Sequence, residues 1–248
     1  MHGKELIAAG ADIIDIGGES TRPGSVRVSP EEEKKRVLPV IEALAAEDVI
    51  VSVDTLHAEV AQAACAAGAH IINDVSGGLD DPDMVSVAAQ LAVPIILGHW
   101  RGHLSDPSTS DVYSDVVSEV HAELGQRLTV ALEAGVKAEN IILDPGFGFS
   151  KGAAHNWRLL AQLESFVQLP YRVLVGVSRK RFIADLANPD NPAEASLADR
   201  DTVTAGITAY AAQCGVWAVR VHEPRANALA VRTVNAVAKA RTVAGMRK

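Results

Sequence analysis

The sequence predicts an α/β protein built as a (β/α)8 TIM barrel, a single domain over residues 1–248 with the first β-strand of the barrel missing from the chain. Three observations carry that reading. Seven short, nearly continuous apolar runs alternate with segments of helical period, the pattern of a parallel sheet with helical crossovers whose strands are buried on both faces. Polar residues gather just after nearly every run, where a barrel places its working face. No GxGxxG follows any run, which removes the main argument for the rival doubly wound dinucleotide fold.

The elements follow in order. A helix-like opening that closes on Ala9-Gly10 leads straight into the first run, residues 12–16. That is an unusual way to start a barrel. Ser29 is an N-cap followed by Pro30 at the first helical position and Glu31, Glu32 and Glu33 in the first turn, and its helix runs to about residue 46. Strands are expected at 49–53, 69–72, 93–97, 140–143, 172–175 and 218–221. Helices are expected at 57–67, 83–90, 112–134, 154–166, 201–213 and 225–243, with Ala67-Gly68 and Ala134-Gly135 as C-caps. The stretch 188–198, rich in Asn, Pro and Ala, is expected to be a mobile surface insertion.

Composition narrows the function. Hydrophobic residues make up 48% and charged residues 22%, so the chain is globular, while aromatics at 4% leave the core to Ala, Val, Leu and Ile. The net charge of −8 argues against a nucleic-acid binder and requires any anion to be held by a local basic site. Cys65 and Cys214 lie in Ala-rich helical stretches and are expected to be buried, reduced thiols. No run reaches membrane length and Met1-His2-Gly3-Lys4 opens no signal peptide, so the expected location is cytoplasmic.

The strand ends carry the chemistry. The first run leads into Gly17-Gly18-Glu19-Ser20-Thr21-Arg22-Pro23-Gly24, a loop able to present donors to an anion. Asp54, Asn73 and Asp144 end three other runs and offer the acceptors and donors that read the amide-like edge of a heterocycle. Taken singly, each suits a helix cap equally well. His99, after the fourth run, is weighted toward a structural histidine. Ser178-Arg179-Lys180-Arg181 places three cations at the mouth of an acidic protein, and strand alternation would put Arg220 and His222 on one side as an oxyanion clamp. The inventory thus divides into an acidic, amide-reading pocket and a basic one. A substrate with a donor-rich ring at one end and phosphate at the other would span both. There is no metal-ligand spacing of Cys and His, no GxSxG and no P-loop.

Six motifs in order, Gly17–Gly24, Ser52-Val53-Asp54-Thr55, Asn73–Gly78, Asp144-Pro145-Gly146-Phe147-Gly148-Phe149, Ser178-Arg179-Lys180 and Arg220-Val221-His222, together resemble the dihydropteroate synthase family. The details around His99-Trp100-Arg101 and Ser178–Arg181 look most like its actinobacterial branch. The resemblance implies a TIM barrel, a homodimer, and transfer of a pterinylmethyl group. In that reaction 4-aminobenzoate is joined to 6-hydroxymethyl-7,8-dihydropterin diphosphate in folate biosynthesis, with release of diphosphate. It implies Asp54, Asn73, Asp144 and Lys180 as pterin ligands, with Asp54, Asp144 and Lys180 in the catalytic roles. Arg220, His222 and Thr21 would bind diphosphate, and Thr21, Arg22, Pro23, Phe149 and Arg181 would bind 4-aminobenzoate. Mg2+ is the implied cofactor, with sulfonamides as competitors.

The sequence departs from the family pattern in three places. The family's opening strand, with its Asn-Val-Thr-Pro-Asp-Ser-Phe-like motif, has no counterpart here. This chain therefore carries no metal ligand of its own, because the Asn that would contact Mg2+ lies in that segment, and the reading is of a truncated gene product. Gly98 stands where relatives carry Met, implying a roomier pterin wall, and Glu223 replaces a common Asp. Two other readings are a pterin-binding methyltransferase-like protein, which has no use for a diphosphate clamp, and a non-catalytic pterin binder.

Overall fold

The computed structural model describes residues 2–20, 26–102 and 111–245. Helix α1 (His2–Ala8) precedes strand β1 (Ile13–Gly17), and strand and helix then alternate to the end of the chain: α2 (Pro30–Ala45), β2 (Ile50–Asp54), α3 (Ala58–Ala66), β3 (Ile71–Asp74), α4 (Met84–Leu91), β4 (Ile95–Gly98), α5 (Val116–Glu133), β5 (Ile141–Asp144), α6 (Ala153–Ala161), α7 (Leu163–Val167), β6 (Arg172–Val175), α8 (Ala184–Ala187), α9 (Leu197–Cys214), β7 (Ala218–Val219) and α10 (Pro224–Gly245). The seven strands form one parallel sheet in sequence order.

Side-chain alternation divides each strand between two cores. Val51, Val53, Ile72, Ile95, Leu97, Ile141 and Leu143 pack outward against the early helices, and Val173 and Val175 do the same against the later ones. The inward set is different: Ile71, Ile96, Ile142 and Leu174 form a buried cluster against which both Ile13 and Ala218 pack. Residues of the first and last strands thus share one interior, so the sheet curls around it as a barrel wall. Among the described residues no backbone pairing joins β7 to β1.

Several boundaries differ from the sequence reading, each for a local reason. The helix expected over 154–166 is two, broken at Gln162, whose φ of −113° and ψ of 21° leave the helical region. Helix α5 begins at Val116 rather than 112, because Asp115 caps it by accepting the Val117 N–H. Helix α9 begins four residues early, because Ser196 accepts the Asp199 N–H. The stretch expected to be a mobile surface insertion lies at the surface, with a 3-10 turn at Pro192–Glu194 and Ala195 buried. Both cysteines are free, as expected, but half-buried rather than buried. No described helix is long and apolar enough to cross a membrane.

Candidate active site

Strand geometry builds the site from the inner core outward. Two residues beyond each inward apolar residue, the same face of the strand points into the mouth of the barrel. Counting from Ile13, Ile71, Ile96, Ile142, Leu174 and Ala218 gives Asp15, Asn73, Gly98, Asp144, Gly176 and Arg220. On β2, where Val51 and Val53 face outward, the corresponding residue is Asp54. An apolar layer is therefore topped by a ring of carboxylates, one amide, one guanidinium and glycine.

The ring is wired together. Asp15 Oδ2 accepts from Asn73 Nδ2 at 3.1 Å and from Arg220 Nε, and Arg220 Nη2 donates to Asp54 Oδ2 at 2.7 Å. Asp144 Oδ1 accepts the Gly146 N–H at 2.8 Å, which fixes the turn that follows β5. Burial pushes the Asp54 carboxyl up to about 7; Arg220 opposes the shift, and Asp15, Asp74 and Glu33 add to it. Burial also raises Asp144, against the pull of Lys180, the Gly146 N–H, Lys151 and Arg220. Asp15 was absent from the sequence-derived site, although the two-residue offset from Ile13 marks it.

The three consecutive cations separate. Arg179 adopts a left-handed backbone (φ 58°) and turns away to Asp201, at 2.7 and 2.8 Å. Lys180 reaches back into the mouth, donates to the Phe147 carbonyl and lies over the Phe149 ring at 4.4 Å. A Cβ on Gly148 would stand 2.6 Å from Lys180 Cδ, so glycine is what lets the lysine cross there. Burial lowers the Lys180 amine to about 8, against the pull of Asp144 and opposed also by Asp54. Arg181, itself exposed, opens a 3-10 turn beside it whose other residues, Phe182 and Ile183, are buried.

Strand alternation does not join Arg220 to His222, because β7 ends at Val219. Arg220 faces the carboxylates, while His222 is fastened to Ser178 after β6, its Nδ1 lying 2.9 Å from the hydroxyl and its backbone N–H donating to it at 3.1 Å. Glu223 caps α10 by accepting the N–H groups of Arg225 and Ala226, a role that accommodates its departure from Asp. Gly98 does not widen the wall: a Cβ there would meet the Val75 carbonyl oxygen at 2.5 Å and Cα at 2.6 Å, so backbone already fills the place of a side chain. Thr21, Arg22 and Pro23 lie outside the described residues.

Both described ends of that loop are held by ion pairs. Glu19 accepts the Val28 N–H at 3.0 Å and pairs with Arg27, which also grips Asp80 at 2.7 Å. Nearby, Glu33 Oε2 lies 2.7 Å from His57 Nδ1. Glu19, Glu33 and His57 are the one group among the described residues whose ligand atoms converge as a metal site would need. It does not suit Mg2+, which prefers oxygen ligands and retains water. Arg27, paired with Glu19 and 3.3 Å from His57 Nε2, already supplies the positive charge.

The family model described as pterin binding enzyme matches residues 1–222. The chain belongs to that family. This pterin-binding enzyme is 44% identical over 237 residues to the dihydropteroate synthase of Mycobacterium leprae (strain TN), covering 95% of this chain and 84% of the relative. It is 40% identical over 243 residues to that of Escherichia coli (strain K12), covering 97% and 83%. Among solved structures, the Xanthomonas albilineans dihydropteroate synthase with 4-aminobenzoic acid superposes with a TM-score of 0.86 at 43% identity, covering 95% of this chain and 82% of that one. The Thermus thermophilus enzyme in complex with 4-aminobenzoate gives 0.83 at 43% identity, covering 95% and 88%. The barrel read from the alternation of the sequence is thus the barrel of this family.

Proposed function

We propose that this chain condenses 4-aminobenzoate with 6-hydroxymethyl-7,8-dihydropterin diphosphate, giving 7,8-dihydropteroate and diphosphate. The observation that carries the reading is the barrel mouth itself, where Asp54, Asn73 and Asp144 stand beside Lys180 and Arg220 in one ring. Acceptors on one side suit the amino and N–H donors of a pterin, and cations on the other suit a diphosphate.

In this reading Asp54, Asn73 and Asp144 hydrogen-bond the pterin, and Lys180 donates to its carbonyl and ring-nitrogen side. Arg220 uses two of its donors on Asp15 and Asp54 and has others left for phosphate oxygens. His222 and Thr21 complete that subsite, and Thr21, Arg22, Pro23, Phe149 and Arg181 form the slot for 4-aminobenzoate. An aromatic amine is unprotonated at neutral pH, so the site has no need of a strong base. The barrier lies in breaking the carbon–oxygen bond. Arg220 and His222 stabilise the charge growing on the leaving diphosphate, while the Asp54 and Asp144 carboxylates stabilise positive charge spreading into the pterin. Mg2+ belongs to the proposal as a companion of the diphosphate oxygens rather than the occupant of a protein cage. Sulfonamides then compete for the 4-aminobenzoate slot. A homodimer is proposed through the last helices, supported by exposed Leu197, Tyr210 and Leu229, and sedimentation checks it.

The deciding experiment measures diphosphate release by the 248-residue chain with both substrates and Mg2+. Turnover is expected, with pterin binding lost in Asp144→Ala and turnover lost in Lys180→Ala. Pterin binding without turnover in the unsubstituted chain would favour a binder over an enzyme, and methyl transfer to a cobalamin acceptor would favour the methyltransferase reading.

A further inference from the structure

Lys151 follows the turn after β5 and is 8% exposed, behind the ring of the barrel mouth rather than in it. Its Nζ meets three acceptors: the carbonyl oxygen of Gly146 at 2.9 Å, that of Phe149 at 3.1 Å, and Nδ1 of His99 at 2.7 Å. An ammonium has three N–H donors, so the set is complete. His99, 2% exposed, continues the line through Nε2 to Glu123 Oε2 at 2.9 Å on α5. Arg101 in turn holds Glu123 through Nε at 3.0 and 3.1 Å. Burying a charged group this deeply is costly, and an apolar side chain would tie down a loop with a smaller penalty.

What the line grips explains the lysine. Gly146 is held through both of its peptide groups, its N–H donating to the Asp144 carboxylate and its carbonyl accepting from Lys151. Gly146 has a φ of 69°, and a Cβ there would stand 2.1 Å from the His99 carbonyl oxygen, so the turn is pressed against the end of β4 with no slack. The Phe149 carbonyl is held as well, and the Phe149 ring carries the Lys180 ammonium. One buried lysine therefore fixes the backbone between Asp144, proposed to bind the pterin, and Phe149, proposed to line the 4-aminobenzoate slot.

We infer that Lys151 is a positioning residue for the reaction proposed above: its hydrogen bonds to the Gly146 and Phe149 carbonyls and to His99 set the Asp144–Phe149 turn from behind. The inference rests on that functional reading. The charged groups facing Asp144 are Lys180, Lys151 and Arg220. Those facing Lys151 are Asp144, Lys180, Glu123 and Arg101, together with the imidazole of His99; burial pushes its amine well below the usual lysine range, and Asp144 and Glu123 oppose that shift. Removing Lys151 leaves Asp144 to the two other cations and pushes its carboxyl further up, so the acceptor needed by the pterin is lost at a higher pH.

The test is calorimetric binding of 6-hydroxymethyl-7,8-dihydropterin diphosphate to the full chain across pH, for the unsubstituted protein and Lys151→Met. The acid limb of binding is expected to move to higher pH in the variant, with a loss of about tenfold in affinity on the limb. An unchanged pH profile accompanied only by a lower Tm overturns the inference, because a merely structural lysine moves stability and not the limb. Should Lys151→Met fail to fold, Lys151→Gln keeps an N–H donor behind the turn and removes the amine. A shift in the same direction is expected there, and no shift overturns the inference. Absence of binding by the unsubstituted chain sinks the functional reading itself and the inference with it.

Discussion

Asp54 sits in its pocket at a cost. Its carboxyl is pushed up to about 7, mainly by burial and with the neighbouring acids adding to it, so the folded state holds that proton more tightly than the unfolded chain does. For an acid shifted upward, the stabilising form is the protonated one, and stability is lost as pH rises through the folded value. Asp54→Asn removes that cost while still offering an acceptor to Arg220. The variant is expected to have a higher Tm at pH 8, by about 2–4 °C, with the gain shrinking as pH falls toward 5. Its pterin binding is expected to fall at the same time. A thermal melt at both pH values checks the first expectation and calorimetry the second. Asp54, Asn73 and Asp144 were legible in the sequence because each ends an apolar run. Asp15 ends none: it lies inside the 12–16 run and is marked only by its inward register, which needs the neighbouring strands to define it. The residue pattern alone does not tell the cations 179–181 apart, and only the family resemblance singles out Lys180, because the left-handed backbone of Arg179 decides which one enters the mouth.

At the scale of elements, the turn after β5 is the most constrained piece. Gly146 combines a positive φ with a Cβ position 2.1 Å from backbone oxygen, so no side-chain movement relieves a substitution. Gly146→Ala is expected to cost about 3 kcal/mol or more in urea unfolding and to abolish pterin binding. A variant with an unchanged urea midpoint would show the turn to be softer than its geometry implies. The neighbouring elements show how far periodicity reaches. The seven strands and their parallel order follow from apolar runs separated by helical segments, and the structure keeps that order. Ends were read less well, because they depend on single side chains: Ser196 and Asp115 start their helices through specific hydrogen bonds, and Gln162 interrupts a pattern that is otherwise continuous.

At the scale of the molecule, the wall of the barrel is uneven. The β1–β2 and β4–β5 pairs run over five and four residues in register, whereas β6 and β7 share two. Across the seam between β7 and β1 the connection is made by side chains, Arg220 with Asp15 and Asp54. Amides of β7 and the outer edge of β1 are therefore expected to exchange with deuterium sooner than those of β3, β4 and β5, and Asp15→Ala to widen the difference. Equal protection all round would show the seam to be as firm as the rest. The bridge from Arg220 to Asp15 joins residues 205 positions apart, which sets an order of events on the ribosome. Asp15, Asp54, Asn73 and Asp144 all precede Arg220 in the chain and can begin to assemble before the guanidinium that pairs with Asp15 and Asp54 is made. A nascent chain thus holds the Asp15 and Asp54 carboxylates without the Arg220 counter-charge until the residue after β7 is made, and the seam between β7 and β1 is bridged only then.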